Sequence, residues 1–208
     1  MLLMNSKNQM LIDNLYAAKE GSSQTSRWFE GLKQKGLNPL FVTMDGEQLT
    51  MKFLCATWPK VMIQRCLYHI QHEGMRWLRS KPKTKAAKEL RLLLNTLCDI
   101  RSVKERNQFL YAYKKWLRTY KKYVLSLPMS IKANFDLKRT ISLINNALPN
   151  MFHYLLDSSI PSTSNMLEGF NSRLKLSYRL HRGLTQRHKI QFLKWYCYFE
   201  NQQKTNNL

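Results

Sequence analysis

The apolar residues in the first 65 positions form short runs separated by longer amphipathic stretches. Three runs, at residues 10–12, 40–44 and 61–63, have the composition of strands, and the run at 40–44 is a candidate for a buried strand. Between them, the stretches 22–35 and 47–57 repeat apolar side chains at helical spacing. The side chains predicted to face inward are Trp28, Phe29 and Leu32 in the first stretch and Leu49, Phe53 and Leu54 in the second. Strands that alternate with helices through short links favour a parallel sheet, so this region is predicted to be α/β.

The apolar period becomes helical from Cys66 onward. Ser102 and Glu105 have the spacing of a capping box, which predicts that a long helix begins there. The predicted inner faces of this helix and of the one before it are Leu90, Leu93, Leu94, Leu97 and Ile100, then Phe109, Leu110, Tyr113, Trp116, Leu117, Tyr120 and Val124. This part of the chain is therefore predicted to be all-helical.

The last third of the chain is also predicted to be helical. Residues 137–148 form another amphipathic helix, which Pro149 interrupts. A loop at 158–164 precedes two final helices, which begin near Asn165 and near Thr185. We interpret the whole chain as one α/β unit with an all-helical insertion.

The charge of the chain predicts a polyanionic partner. The sequence has 34 Lys and Arg against 13 Asp and Glu, a formal charge of +21. Residues 76–122 contain fifteen basic and three acidic side chains, and residues 169–199 contain seven basic and no acidic ones. Nucleic acid is the usual partner of so unbalanced a chain. The candidate phosphate contacts are Arg76, Arg79, Lys81, Lys83, Lys85, Arg173, Lys175, His181 and Arg182.

Composition excludes several other classes of protein. The chain is 44% hydrophobic and 12% aromatic, which is too apolar for a disordered tail. No stretch approaches the ~18 apolar residues of a membrane span, and the N-terminus lacks a signal pattern. We therefore expect a cytoplasmic location and no membrane partner. The four cysteines include no CxxC pair, so we expect reduced thiols and no structural zinc site.

Two carboxylates stand out against the basic background. Asp45 follows the apolar run at 40–44, where open α/β sheets place their chemistry, and Glu168 lies one turn into a predicted helix. Two divalent ions ~4 Å apart stabilise the attacking and leaving oxygens of a displacement at phosphorus. Magnesium needs hard oxygen ligands from different elements, so this pair is a candidate metal site for phosphodiester chemistry.

Each of these residues also has a structural explanation. Asp45-Gly46 is a common turn dipeptide, and Glu168 has the position of a capping residue. Cys66 and His69 are three residues apart on one helix face, and two ligands alone do not make a zinc site. A buried thiol and a satisfied imidazole are the simplest explanation for them; alternatively, His69 lies beside the carboxylates and orients a phosphate or a water.

The tryptophans are predicted to serve mainly the core. Trp58, Trp77, Trp116 and Trp195 mostly occur at helical spacing among aliphatic neighbours. Stacking on unpaired bases is the alternative role for such rings. Core packing is the favoured prediction because large aromatic side chains are usually well buried.

Several segments together resemble the DDE transposases of bacterial insertion sequences, in the branch related to the Mutator-like elements. Those near the start are Phe41-Val42-Thr43-Met44-Asp45-Gly46, Trp58-Pro59 and Gln64-Arg65-Cys66-Leu67-Tyr68-His69-Ile70. Those further on are Lys81-Pro82-Lys83-Thr84, Ile160-Pro161-Ser162-Thr163-Ser164-Asn165-Met166-Leu167-Glu168-Gly169-Phe170, Leu174-Lys175 and His181-Arg182-Gly183-Leu184. Their occurrence in this order is what makes the resemblance specific.

The resemblance implies a partial RNase H-like core, a mostly parallel sheet with flanking helices, interrupted by the large helical insertion. Residues 1–65 would be the partial core with strands 3 to 5, and residues 66–160 the insertion. Residues 161–208 would be C-terminal core helices that carry the last catalytic glutamate.

The resemblance also implies roles for individual residues. Asp45 and Glu168 would be the second and third members of a metal-binding triad. Cys66 and His69 would be an accessory motif near the active site, and Asn165 would help to shape the helix start beside Glu168. The implied cofactors are two Mg²⁺ or Mn²⁺ ions. The implied partners are transposon ends and target DNA together with further copies of the chain, near the bacterial nucleoid and with no small-molecule substrate.

The first aspartate of such a triad has no counterpart in this sequence. Asp13 and Glu20 are the only acids before the helix at 22–35, and Asp13 follows a run that resembles the third strand of the core. We therefore expect a truncated transposase that binds DNA without cutting it, because the loss of one carboxylate disables metal pairing. Two alternatives are a non-enzymatic basic DNA-binding or regulatory protein and a different RNase H-like nuclease.

Overall fold

The computed structural model describes residues 1–16, 21–181 and 183–206. The strands in these ranges are β1 (Leu2–Met4), β2 (Leu11–Asn14), β3 (Phe41–Met44) and β4 (Met62–Arg65). The α-helices are α1 (Ser23–Gln34), α2 (Gln48–Thr57), α3 (Leu67–Leu78), α4 (Lys85–Asn95), α5 (Val103–Ser126), α6 (Lys132–Ala147), α7 (Asn165–Leu180) and α8 (Gln186–Asn206). Short 3₁₀ helices lie at Leu97–Asp99, Leu148–Asn150 and His153–Leu155. Within these ranges, no helix is both long enough and apolar enough to cross a membrane.

The chain forms two compact units. The terminal unit consists of Met1–Val42, Glu47–Met62 and Ser164–Leu208. The central unit consists of Thr43–Gly46 and Ile63–Thr163. The chain passes from one unit to the other within β3 and again within β4, so each strand has residues in both units.

The central unit has a large helical core. Its fully buried side chains include Leu67, Ile70, Leu90, Leu94, Leu97, Tyr113, Leu137, Ile144 and Met151. α3 packs closely on α4 because Gly74 has no side chain: a Cβ there would lie 2.5 Å from Leu94 Cδ1. The capping box of Ser102 and Glu105 is present and starts α5, as the sequence predicted. The predicted stripe at 90–100 is likewise confirmed.

The terminal unit has smaller apolar clusters. Leu11, Phe170, Leu174 and Cys197 are buried together where β2, α7 and α8 meet. α1 lies against α2, where the rings of Phe29 and Trp58 are 5.6 Å apart. α7 and α8 begin at Asn165 and Gln186, close to the predicted positions.

The strands pair differently from the predicted parallel sheet. β2 pairs antiparallel with β1, a strand that sequence reasoning missed, and Leu2 lies opposite Asn14. β3 and β4 form a separate two-stranded sheet. Met62 N donates to Leu40 O, and Cys66 N donates to Met44 O. The bonded positions therefore increase together along both strands, as they do in a parallel pair. The α/β class is confirmed at this coarse level, whereas an RNase H-like core is not confirmed.

Three residues predicted to be buried are exposed, and the first is Leu40, which precedes β3 and is 80% exposed. Leu49 was expected to face inward, but its side chain is 46% exposed because it lies at the start of α2, beside the capping residue Glu47. Trp195 was expected in the core, but it is 57% exposed on α8. The prediction is confirmed for Trp58 and Trp116, which are both buried.

Candidate active site

The candidate active site of the central unit lies at the carboxyl ends of β3 and β4. Asp45 and Gly46 follow β3 directly, and Cys66 follows β4 directly. The hydrogen bond from Cys66 N to Met44 O, 2.8 Å, ties these two strand ends together. Short parallel strands therefore bring Asp45 close to the start of α3, although the two are about twenty positions apart in sequence.

The end of β4 is held by a buried glutamine. Gln64 is fully buried, and its Nε2 donates to Arg65 O and to Met151 O, both at 2.8 Å. Its Oε1 accepts from the backbone N–H of His153 and of Tyr154. All of these bonds are within the central unit and satisfy the buried amide, so they fix the strand from which Cys66 emerges.

The loop at 158–164 is attached to the same strand ends. The Thr43 hydroxyl donates to Pro161 O at 2.8 Å. Leu67 N, the first N–H of α3, donates to Ser162 O at 3.0 Å. The loop therefore supplies an acceptor to one of the N–H groups that a helix start leaves without an intrahelical partner.

Arg65 is a buried cation beside Asp45. Its side chain is only 6% exposed, and Nε has no hydrogen-bond partner among the described residues. Its guanidinium occupies the space that a side chain at position 46 would fill, so Gly46 is required for close approach. Burial lowers the pKa of Arg65 from its ordinary value, and the charge of Asp45 opposes this shift. The guanidinium stays charged because arginine side chains are not deprotonated in proteins.

Cys66 and His69 lie together at the start of α3. Cys66 is the N-cap residue and is fully buried, whereas His69 is partly exposed in the first turn. The Cys66 Sγ and a ring nitrogen of His69 lie within 4.8 Å of each other. The predicted proximity of the motif is thus present, with the imidazole as its more accessible member.

Glu168 belongs to the terminal unit. It lies in the first turn of α7, and Ser164 is the N-cap residue of this helix. The Ser164 hydroxyl donates to Glu168 Oε1 at 2.8 Å, and Glu168 N donates to Ser164 O. The carboxylate is therefore oriented by a neighbour on its own helix start.

Among the candidate ligands, the carboxylate oxygens suit a hard divalent ion and the thiol sulfur does not. Asp45 offers oxygens, which Mg²⁺ and Mn²⁺ prefer. The sulfur of Cys66 suits softer metals, and a fully buried Cys66 has little access to an ion. A two-ion site needs more oxygen ligands than the single carboxylate of Asp45 supplies.

The predicted phosphate contacts of the central unit form a basic segment between α3 and α4. Arg79, Lys81, Lys83 and Lys85 are all exposed within seven positions. Arg76 is also exposed, but its guanidinium pairs with Glu73. Arg79, Lys81, Lys83 and Lys85 therefore present four exposed positive charges close together in sequence.

The remaining predicted contacts belong to the terminal unit. Lys175 is exposed on α7, and Arg173 is exposed but lies 3.7 Å from Glu200. His181 is exposed, and its ring lies 4.9 Å from that of Phe192. Arg182 lies outside the described residues.

The close packing of the Arg65 guanidinium against Gly46 was not predicted from the sequence. Both residues were quoted as parts of motifs, yet neither was assigned a role. The Asp-Gly dipeptide was interpreted as a turn, although the structure explains Gly46 by the guanidinium that lies against it. A cation ending an apolar strand was the available signal, because Arg is rarely buried without a partner.

The comparisons with known proteins agree with the resemblance found in the sequence. Residues 9–185 match the family model described as "Transposase, Mutator family". Neither the curated proteins nor the solved structures gave a match. The matched region covers most of the 208 residues and includes Asp45, Cys66, His69 and Glu168. The chain belongs to the Mutator family of transposases.

Proposed function

We propose that the chain is the catalytic region of a DNA transposase that cleaves and joins DNA strands with divalent metal ions. The observation that carries this proposal is the family match over residues 9–185, which includes both candidate carboxylates. The placement of Asp45 at the carboxyl end of a parallel strand supports it, because α/β proteins place reactive groups there. DNA is the partner that membership of the family implies.

In this proposal Asp45 and Glu168 hold the metal, Mg²⁺ or Mn²⁺. The bound ions supply Lewis-acid stabilisation of the phosphate oxygens. Arg65 holds Asp45 in place, since its buried charge lies beside that carboxylate. His69, which is partly exposed, orients a phosphate oxygen or a water, while the buried Cys66 fixes the start of α3.

Asp13 is a poor candidate for a further metal ligand. Its Oδ2 accepts from Trp28 Nε1 at 3.2 Å and lies 3.9 Å from Lys35 Nζ. Its Oδ1 accepts from Asn14 N at 2.7 Å. Because these contacts are structural, we propose that the 208 residues taken alone bind DNA without cutting it.

DNA binding is assigned to exposed basic side chains. We propose that the segment between α3 and α4, with Arg79, Lys81, Lys83 and Lys85, contacts backbone phosphates within the insertion at 66–160. Lys175 and His181 would make further contacts from the C-terminal helices, and the protein would act as a homo-oligomer near the bacterial nucleoid. Phosphate contacts make affinity depend on salt and little on base sequence.

The test is duplex binding by the 208-residue protein across a range of salt concentrations. Replacing Lys81, Lys83 and Lys85 by Gln should lower the slope of log affinity against log salt by ~0.9 for each phosphate that the variant no longer neutralises. The matched control replaces Lys7, Lys52 and Lys60, which are equally exposed and remove the same charge. This control should leave the slope nearly unchanged.

The same assay separates the alternatives. Absence of duplex binding at low salt would refute the DNA assignment. An equal loss of affinity in the two triple variants would show that net charge, and not this segment, binds DNA. Metal-dependent nicking that disappears in Asp45→Asn would show that the 208 residues are catalytically sufficient.

A further inference from the structure

Helix α8 carries an exposed aromatic cluster, which we call the aromatic patch. It consists of Trp195, Tyr198 and Phe199, which are 57%, 50% and 56% exposed. Residues three and four positions apart share one face of a helix, so these rings form one surface. The opposite side of α8 is the packed one, because Cys197 is buried there with Phe170 and Leu174.

The rings of the patch contact one another. Trp195 and Phe199 stack with centroids 5.6 Å apart and planes inclined by 24°. Tyr198 meets Trp195 at 5.7 Å and Phe199 at 5.5 Å, edge to face in both cases. The result is a preformed aromatic surface whose rings have already lost much of their freedom to rotate.

The surroundings of the patch are basic. Residues 169–199 contain seven basic side chains and no acidic one, and Lys194 is exposed next to the patch. The nearest acid along the chain, Glu200, is 3.7 Å from Arg173 and only 22% exposed. The patch therefore combines π-faces with positive charge, and the carboxylate nearest to it along the chain is already paired.

A second copy of the chain is a poor occupant for this surface. Three rings that are about half exposed offer on the order of 300–400 Å², against the ~800 Å² per partner of a stable protein interface. A symmetric contact would also bring Lys194 of both copies together. An anionic ligand with flat, apolar faces satisfies both the charge and the shape.

We propose that the aromatic patch binds unpaired bases of single-stranded DNA, with bases stacked on its rings and phosphates contacted by Lys194. Base–aromatic stacking joined to a positive groove is the general mode of single-strand binding. The inference rests on the proposed function, which makes DNA the partner. It adds a surface that recognises exposed bases and is separate in sequence from the carboxylates.

The test is fluorescence titration of the 208-residue protein with an oligothymidylate and with a duplex of equal length. Because Trp58 and Trp116 are buried and Trp28 and Trp77 are only partly exposed, Trp195 should contribute most of the quenching by the single strand, and Trp195→Phe should remove most of it. The double variant Trp195→Ala/Phe199→Ala should bind the single strand about five- to 100-fold more weakly. Duplex affinity should change less than about twofold.

The control is Tyr111→Ala, which removes a 70% exposed ring from α5 in the central unit. This variant should bind the single strand as the unchanged protein does. An unaltered single-strand affinity in the double variant, with duplex binding intact, would overturn the inference and leave the proposed function standing. A concentration-dependent dimer that the double variant abolishes would also overturn it, in favour of a second copy as the occupant.

Discussion

The two units of the molecule differ in how they use their aromatic side chains. In the central unit, Tyr113 and Trp116 of α5 are buried, and Trp116 Nε1 donates to Ala86 O at 3.0 Å. In the terminal unit, Trp195 and Phe199 of α8 are more than half exposed. Both helices show aromatic residues at helical spacing, so the same sequence pattern serves a core in one unit and a surface in the other.

The two helices differ in how their other apolar residues are distributed around the helix axis. α5 buries its main aromatic stripe, which α4 and α6 contact, and the exposed Tyr111 lies apart from that stripe among mostly polar residues. α8 has apolar residues on two sides: Cys197 with Phe192 and Tyr196 packs inward, and the aromatic patch is left outside. A helix that is apolar on two sides can bury both only against two packing partners. The side of α8 that no described element covers is therefore a candidate binding surface.

The largest expected effect is the loss of stability when one buried leucine of each unit is replaced by alanine. Leu94→Ala removes a fully buried side chain that packs on Gly74 in the central unit, and should lower the free energy of unfolding by about 3–5 kcal/mol. Leu174→Ala in the smaller terminal cluster should cost about 2–3 kcal/mol, because a smaller cluster relaxes more easily. Urea unfolding measures both values.

The control for this pair is Leu92→Ala on the same helix as Leu94. Leu92 is 69% exposed, so its replacement should change stability by less than about 0.5 kcal/mol. A cost for Leu174→Ala that equals or exceeds that of Leu94→Ala would contradict the comparison of the two cores.

A smaller effect compares one glycine from each unit. Gly46→Ala would place a methyl group against the Arg65 guanidinium and should destabilise the protein by about 1–3 kcal/mol. Gly31→Ala, in the middle of α1 with open space around it, should stabilise by about 0.5–1 kcal/mol. Thermal unfolding of the two variants measures these opposite signs.

The Arg65 explanation can be checked in the same experiment. Shortening the arginine in Gly46→Ala/Arg65→Ala should make the alanine at position 46 less costly than it is beside the intact side chain. If Gly46→Ala is neutral in the unchanged background, the guanidinium does not occupy this space in solution.

The smallest effect compares two helix starts. Ser102→Ala removes the capping box of α5 and should cost about 1 kcal/mol. Ser22→Ala, at the N-cap of α1, should cost less than about 0.5 kcal/mol, because the Ser22 side chain makes no capping hydrogen bond. Equal costs in urea unfolding would show that the hydrogen bonds of Ser102 contribute little.

Local patterns predicted the helices and the strand ends well. The capping box at Ser102, the stripe from Leu90 to Ile100 and the position of Asp45 after β3 are each encoded by neighbouring residues. The pairing of β2 was predicted wrongly because its partner β1 is only three residues long and has no distinctive pattern. Strand pairing is set by tertiary packing, which a short apolar run does not specify.

Asp45 and Glu168 were singled out in the sequence because metal-assisted chemistry needs carboxylates, and Cys66 and His69 because of the resemblance to transposases. The anchoring of β4 by Gln64, through backbone partners near 151–154, depends on contacts almost ninety positions away and has no local signal. The roles assigned to these site residues and to the basic residues stay predictions.

The proposal that Asp45 and Glu168 both bind the divalent metal is tested most directly by Mn²⁺ binding to the 208-residue protein, followed by electron paramagnetic resonance. We predict binding that either Asp45→Asn or Glu168→Gln weakens at least about tenfold, while Asp99→Asn, at an exposed acid outside the site, has no effect. Binding that survives both substitutions, or that only one of them weakens, would contradict the shared site.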